Sequence, residues 1–595
     1  MLGTADKQKR PNFLVILADD LGFSDVGCFG SEINTPNIDK LAASGVRMTD
    51  YYAAAACSPT RSMLLSGTDN HIAGIGVMAE HRNFNLKRWN VPGHEGYLNH
   101  RIAALPELLQ DNGYHTLISG KWHLGLKPEY LPDQRGFDRS FALLPGCGNH
   151  YGFEPQFADS DLLQFFERNT PLYVRDGVKV DLAANVTNDP AQFFSSDYYA
   201  TNLIQYLDER PTDKPFFAYL PFASPHWPLQ VHKGYRDKYK GVYDDGPEAL
   251  RQRRLAKLRE MGLISADAVA HDVVAPDMSE WEEMTDEERA LSARAMETYA
   301  GMVENMDWNI GRVLDHLDKI GERENTFIVF QSDNGAEGAS LEAMPVLGQR
   351  FMDVIGKYYD NSLENIGEYN SYVWYGPRWA QASTAPSRLY KMYSTEGGIK
   401  VPMIVNFSPW TQKHGGEIFN AFATVMDIVP TILELAGIQH PGKSQLFRGR
   451  QVEALRGKSW LPFFSALTEK TDLSAAPQAL HTVDDPAVGW ELFGRAALRS
   501  GGWKIVFMPR WAHGKGAWEL FDLSTDPGET RDLAQDDPAK LAELVELWEE
   551  YVQETGVVWD GELQPQPVPD HGLERTSIIG GDPLEDTRGW MQTRN

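Results

Sequence analysis

Three polar clusters in this chain each follow a short apolar run. Asp19-Asp20 follows Phe13–Ala18, Lys121-Trp122-His123 follows His115–Gly120, and Ser332-Asp333-Asn334-Gly335 follows Thr326–Phe330. Asp19, Asp20, Asp333 and Asn334 offer three carboxylates and an amide oxygen. Such an all-oxygen set suits Ca²⁺ or Mg²⁺, and no Cys/His spacing suits zinc. Taken singly, each pair is equally an ordinary strand-end turn. The segment Cys57-Ser58-Pro59-Thr60-Arg61 adds a nucleophile-bearing residue. Pro59 fits the first turn of a helix that Gly67 ends, which places Cys57 at the helix N-terminus, where unpaired N–H groups favour an anion. A lone cysteine is more often a small buried hydrophobe, so the coincidence of clusters carries the argument.

The elements that must position these residues have the pattern of an α/β sheet with crossover helices. Phe13–Ala18, His115–Ser119, Phe216–Phe222, Thr326–Phe330 and Pro402–Val405 read as buried strands. Ligands of open α/β sheets sit beyond the carboxyl ends of strands, where the three clusters fall. Helices are expected from Pro36 to Gly45 with Thr35 as cap, from about Ala290 to Lys319 with an apolar face, and from Asp427 to Ala436. Three polar stretches, Arg82–His100, Lys233–Glu287 and Glu337–Pro386, read as insertions decorating a compact core. After about residue 440 come strands at Arg495–Leu498, Trp503–Met508 and Trp518–Asp522, then an amphipathic helix at Pro538–Val552. Two domains are therefore expected: residues 1–440 with a mostly parallel central sheet flanked by helices, and residues 441–595 as a smaller α+β unit with an antiparallel sheet.

The 595 residues, 42% apolar, 11% aromatic and 23% charged, describe a globular chain able to bury a large core, and intrinsic disorder is excluded. A net charge of −27 argues against nucleic acid or an anionic membrane as partner, and an anionic substrate would need locally gathered positive charge. The three cysteines, Cys28, Cys57 and Cys147, are too few for a disulfide framework. The polar start and the short run Phe13–Ala18 give no export signal or membrane span. The expected location is the cytoplasm, with the periplasm as the alternative.

The long motif Cys57-x-Pro59-x-Arg61 followed by Ser62-Met-Leu-Leu-Ser-Gly67 resembles the signature of type I sulfatases in the alkaline-phosphatase superfamily. Supporting segments occur in the family's order: Asn12–Gly22, Gly120–Gly125, Ser224–Pro228, Ser332–Gly335, Glu396–Gly398 and Phe521–Glu529. Arg61–Ala79, Ser140–Pro155 and Asn361–Lys391 look similar to bacterial arylsulfatases of the Pseudomonas type. The resemblance implies hydrolysis of aryl, and by extension alkyl, sulfate esters through a covalent sulfo-enzyme intermediate. It also implies that a separate maturation enzyme oxidises Cys57 to Cα-formylglycine, whose hydrate is the nucleophile.

By that resemblance one Ca²⁺, with Mg²⁺ as the alternative, is held by Asp19, Asp20, Asp333, Asn334 and the hydrated residue 57. Arg61 orients residue 57, Lys121 and Lys391 bind sulfate oxygens, and His123 hydrogen-bonds the diol and helps eliminate sulfate. His226 binds a sulfate oxygen and assists the departing alcohol, and Asp333 accepts the nucleophile's proton. Asn149-His150 is expected to line the pocket and the aromatic run Tyr372–Trp379 to form the substrate mouth, although such aromatic clusters are more often ordinary packing. Two alternatives stand beside this reading: a phosphonate monoester or phosphodiester hydrolase on the same scaffold, and a metal-binding relative without catalysis.

Overall fold

The computed structural model describes residues 9–82, 86–158, 172–182, 193–276, 278–338, 348–411, 415–464 and 480–559. At its centre lies β1 (Asn12–Ala18), seven residues that are all buried. Unbroken burial, rather than alternation, marks a strand covered on both faces by helices. In chain order the sheet continues with β2 (Val46–Met48), β3 (His115–Lys121), β4 (Arg139–Leu143), β5 (Tyr173–Arg175), β6 (Val178–Val180), β7 (Phe216–Pro221), β8 (Thr326–Ser332), β9 (Met403–Asn406) and β10 (Ile418–Phe419). Across the ten-stranded sheet their order is β10-β2-β9-β8-β1-β7-β3-β4-β5-β6. The central strands β8, β1, β7, β3 and β4 are parallel, and antiparallel pairs join the flanking strands to them. Ala18 pairs with Ser332 and Leu17 with Pro221. The carboxyl ends of these strands therefore share one edge of the sheet, and whatever follows them is gathered there.

Helices α1 (Pro36–Ala43), α2 (Cys57–Ser66), α3 (Ser195–Glu209), α4 (Gly246–Glu260) and α5 (Asp286–Lys319) follow. The stripe Tyr299, Met302, Val303, Met306, Ile310, Val313 and Leu317 on α5 is fully buried. This helix begins a turn earlier than its apolar face alone indicates. Thr285 and Glu288 form a capping box, with Glu288 N donating to Thr285 Oγ1 at 3.2 Å and Thr285 N to Glu288 Oε2 at 2.7 Å. At α1 the expected cap is corrected. Thr35 Oγ1 accepts from Gly27 N, while the carboxylate of Asp307 on α5 accepts from Asn37 N at 3.0 Å and Ile38 N at 2.8 Å.

The polar stretches do more than decorate. Within Lys233–Glu287, Tyr243 is fully buried, and α4 sends Arg254, 1% exposed, to the carboxylates of Asp25 and Glu32. Trp379, on α6 (Pro377–Ser383), is 1% exposed. Burial of paired charges made these segments look like surface in the sequence.

A second sheet has four antiparallel strands, β11 (Val488–Leu492), β12 (Arg495–Ser500), β13 (Trp503–Phe507) and β14 (Trp518–Asp522). Between the sheets α7 spans Ile428–Ala436, and α8 spans Pro538–Thr555. One face of the small sheet packs under Leu544, Trp548 and Tyr551 of α8. The other face sends Trp490, Leu492, Ala497 and Val506 into the main core, so apolar packing is continuous across residue 440. No helix among the described residues is long and apolar enough to cross a membrane.

Buried His71 ties the two parts together. Its Nδ1 lies 2.9 Å from Asp69 Oδ1 and its Nε2 3.2 Å from Glu491 Oε2 on β11, while Tyr551 OH on α8 donates to Asp69 Oδ2 at 2.6 Å. Burial opposes the imidazolium charge, but Asp69 and Glu491 outweigh it and push His71 from 6.5 up to about 9. A raised folded-state pKa gives stability that is complete below about 6.5 and disappears as pH climbs through about 9, roughly 3 kcal/mol in all. The urea midpoint is expected to fall over that window and to lose most of this slope in His71→Gln. An equal slope in the variant would contradict the assignment.

Candidate active site

Asp19, Asp20, Cys57, Lys121, Asp333 and Asn334 are delivered by the ends of elements, whereas Arg61 stands within α2 and Lys391 in a loop. β1 runs out at Ala18, and Asp19 N then donates to Ser224 O at 3.1 Å in the segment after β7. Asp20 adopts a left-handed φ of 67°, which aspartate tolerates better than most residues, and its N–H donates to Asp333 Oδ1 at 3.2 Å. Asp333 and Asn334 leave the end of β8, Lys121 is the last residue of β3, and His123 turns away with φ 56°. Cys57 is the first residue of α2, whose ten residues are all buried and which Gly67 ends at φ 66°. A helix buried on every side fixes its N-terminus firmly.

The side chains meet in a dense charge network. Arg61 Nε and Nη2 donate to Asp333 Oδ2 at 3.1 and 2.7 Å, and Nη1 donates to Lys121 O at 2.9 Å. Lys121 Nζ donates to both oxygens of Asp19 at 2.8 and 2.6 Å. Lys391 Nζ donates to Asp20 Oδ2 at 2.8 Å and lies 2.9 Å from Glu337 Oε2. Cys57 Sγ is 3.5 Å from Asp20 Oδ1, and His226 Nε2 is 3.4 Å from Asp20 Oδ2. Ser58 Oγ donates to His123 O at 2.8 Å, so His123 borders α2. Thus Asp19, Asp20, Cys57, Arg61, Lys121, His123, His226, Asp333, Asn334 and Lys391 belong to one locality.

Crowding shapes the acid–base character. Burial pushes Asp19 up to about 7, with Lys121 pulling it down and Asp333 adding to the rise. Burial and then Asp333 hold the Cys57 thiol well above its usual range, so the encoded cysteine is a protonated, poor nucleophile. Burial, then Lys391 and Lys121, push His226 well below its usual value. Its Nδ1 donates to Trp227 O at 2.6 Å, which leaves Nε2 unprotonated in the neutral ring.

The residues fit a hard cation. Asp19, Asp20, Cys57 and His226 each bring a potential ligand atom within 4.8 Å of one another. Asn334 donates Nδ2 to Asp20 Oδ1 at 2.7 Å, leaving its own Oδ1 buried with no hydrogen-bond partner among the described residues. A buried carbonyl oxygen beside two carboxylates is the donor chemistry a divalent ion takes. Both Asp333 oxygens, by contrast, already accept hydrogen bonds from Arg61 and Asp20 N.

Sequence reading missed Glu337, 3% exposed, although it stands only three residues beyond Asn334. His150 is buried behind the site, with Nε2 donating to His226 O at 3.0 Å and Nδ1 accepting from Ser195 Oγ at 2.7 Å. Of the expected aromatic mouth, Tyr372 clusters with Trp227, Ile355 and Tyr359 beside His226. Trp379 packs instead against Tyr243 and Trp281, which corrects its placement at the mouth. Cys28 is buried and Cys147 is partly exposed.

Residues 11–438 match the family model described as Sulfatase. An uncharacterized sulfatase of Schizosaccharomyces pombe is 51% identical over 93% of this chain and 95% of its own. An arylsulfatase of Klebsiella aerogenes is 37% identical over 74% of this chain and 89% of its own. The crystal structure of Ps i-CgsB shares the fold with a TM-score of 0.63 at 24% identity, over 93% of this chain and 95% of that one.

Proposed function

The chain belongs to the sulfatase family and is a sulfuric ester hydrolase, and on that premise we propose that its substrates are aryl sulfate monoesters, with alkyl sulfates as secondary ones. The observation that carries this reading is the convergence of Lys121, Lys391 and Arg61 on the N-terminus of α2 at Cys57, in a chain 37% identical to an arylsulfatase. The aromatic group Trp227, Tyr359 and Tyr372 beside His226 suits an aryl leaving group.

In this proposal a maturation enzyme converts Cys57 to Cα-formylglycine, whose hydrate supplies the attacking oxygen and a second hydroxyl through which sulfate is later expelled. Arg61, anchored by Asp333 and Lys121 O, orients residue 57 and offsets developing charge. Lys121 and Lys391 grip sulfuryl oxygens, and His123 orients the diol. His226, neutral and with a bare Nε2, takes up a proton before giving it to the departing oxygen, a form that the anionic substrate favours. Asp333 would have to release a hydrogen bond to accept the nucleophile's proton.

Asp19, Asp20, Asn334 and Asp333 would hold one Ca²⁺, or Mg²⁺, which when bound withdraws charge from the sulfuryl oxygens. The lysines now resting on Asp19 and Asp20 are the groups freed for substrate. Asp19, Asp20, Asp333 and Glu337 outnumber Arg61, Lys121 and Lys391 by one charge, so a divalent ion turns the site from net negative to net positive within a protein of charge −27. Chelation is therefore expected to leave the protein folded but cut turnover more than tenfold. Ca²⁺ at a hundredfold excess over Kd should restore activity and add about 2.7 kcal/mol of stability. Full turnover in metal-depleted protein would refute the cation's role.

We also propose a domain boundary near residue 440, supported by the family match ending at 438. The substrate assignment is tested by comparing kcat/KM for nitrophenyl sulfate and for a nitrophenyl phosphonate monoester on matured protein. The sulfate is expected to win by at least about a hundredfold, a discrimination of ~2.7 kcal/mol. A phosphonate preference would replace this reading with the phosphonate hydrolase, and no turnover of either would favour the non-catalytic relative.

A further inference from the structure

The small sheet reaches the site through the loop 388–398. On one side, Lys391 N donates to Ala336 O at 3.0 Å, Met392 N to Ala55 O at 2.7 Å and Gly335 N to Gly398 O at 2.9 Å. These contacts join Lys391 to the chain leaving β8 and to the residues just before Cys57. On the other side several ties come from beyond the family match. Arg388 Nη1 donates to Glu519 Oε2 at 3.0 Å, Arg495 Nη1 to Met392 O at 3.1 Å, and Ser394 Oγ to Arg495 O at 2.9 Å.

The strongest of these ties is a buried ionic group. Lys504 Nζ lies 2.8 Å from Glu396 Oε1 and 2.8 Å from Glu529 Oε1, and Glu529 Oε2 accepts from Glu396 N at 3.0 Å. Tyr52 OH donates to Glu396 Oε2 at 2.7 Å. Lys504 and Glu396 are 0% exposed and Glu529 is 1% exposed. Leu389 and Met392, on either side of Lys391, hold left-handed φ values of 60° and 74°. Non-glycine residues keep such angles only where their surroundings impose them. The loop also needs Gly398, since a Cβ there would stand 1.9 Å from Tyr393 O.

We infer that Glu529 is a positioning residue for Lys391: with Lys504 it fixes Glu396, and through Glu396 it holds the strained turn that aims Lys391 at the substrate. This inference rests on the sulfatase reading, in which Lys391 binds a sulfuryl oxygen. The small sheet is then part of the catalytic machinery rather than an appended unit. Small displacements of a binding group remote from the mutation can cost on the order of a hundredfold in rate.

The test is a double-mutant cycle on nitrophenyl sulfate with Glu529→Ala, Lys391→Ala and both, joined to amide hydrogen exchange over 388–398. Glu529→Ala is expected to lower kcat/KM about 10- to 100-fold. Glu529→Gln should recover most of it, because its Oε1 still accepts from Glu396 N. In the Lys391→Ala background Glu529→Ala should add less than about twofold, and exchange at Met392 and Glu396 should quicken while β1 stays protected. An undiminished effect in the Lys391→Ala background, or unaltered turnover in Glu529→Ala, would overturn the inference. Should the alanine variant not fold, Glu529→Asp carries the same cycle. A matured parent inactive on the sulfate would sink the aryl sulfate reading instead, and exchange alone would then decide, with unchanged protection at Met392 and Glu396 overturning the positioning role.

Discussion

Replacing Cys57 by alanine is expected to abolish sulfate ester turnover, by on the order of 10⁴- to 10⁶-fold, while leaving the fold intact. The loss is that large because in the proposed mechanism residue 57 carries the bond-forming atom, and no neighbour can take its place. Asp19, Asp20 and Asp333 are committed to Lys121, Lys391 and Arg61. The fold survives because the thiol, 2% exposed at the first position of α2, makes one polar contact, the 3.5 Å approach to Asp20. Alanine keeps the helix and removes a single sulfur. Cys57→Ser is expected to stall after one turnover, since a single hydroxyl can form the sulfate ester but has no geminal partner to expel it. Measurable steady-state turnover by the alanine variant would refute the nucleophile assignment.

Asp333→Asn should damage the protein far more than one atom's change suggests. Asp333 Oδ2 accepts from two guanidinium nitrogens of Arg61, and Oδ1 accepts from Asp20 N. An amide must turn its NH₂ toward one of these donors, and Arg61, 0% exposed, is then left with Asp19 at 3.5 Å as its remaining counter-charge. Breaking a buried ion pair from one side costs about 3–5 kcal/mol. Turnover is expected to fall about 10²- to 10³-fold, the usual loss for one preorganised group, and cation affinity should fall with it. Measuring kcat well below the variant's melting temperature separates the two effects. Near-parental turnover and stability together would contradict both roles.

Much of the site could be read from the sequence because parallel strands whose carboxyl ends align must bring their trailing residues together. Asp19, Lys121, Asp333 and Asn334 needed only the assignment of β1, β3 and β8 as strands of one sheet. What stayed hidden depends on long-range partners. Glu337 matters only because Lys391 comes back to it, and Asp307 displaced Thr35 as the cap of α1 from a distant helix. The polarity of Lys233–Glu287 concealed a core contribution because Arg254 is buried with its counter-ions. The capping box of Thr285 and Glu288 was visible in the sequence and would have set the start of α5. A local signal could not show that Lys504, on β13, and Glu529, in the chain beyond β14, meet Glu396.

The charge excess also takes on a local meaning. Four acids, Asp19, Asp20, Asp333 and Glu337, face three bases within the site, so in the proposed mechanism affinity for an anionic ester turns on the cation they would hold rather than on the field of the whole protein. Long-range attraction should be weak, and kcat/KM should vary little with ionic strength.

The central claim, that residue 57 acts as a formylglycine, is tested most directly by mass spectrometry of the tryptic peptide Met48–Arg61 from active protein. The peptide should carry an aldehyde in place of the thiol, in a fraction that tracks specific activity across preparations made with and without a maturation enzyme. Full activity in protein whose Cys57 remains an unmodified thiol would contradict it.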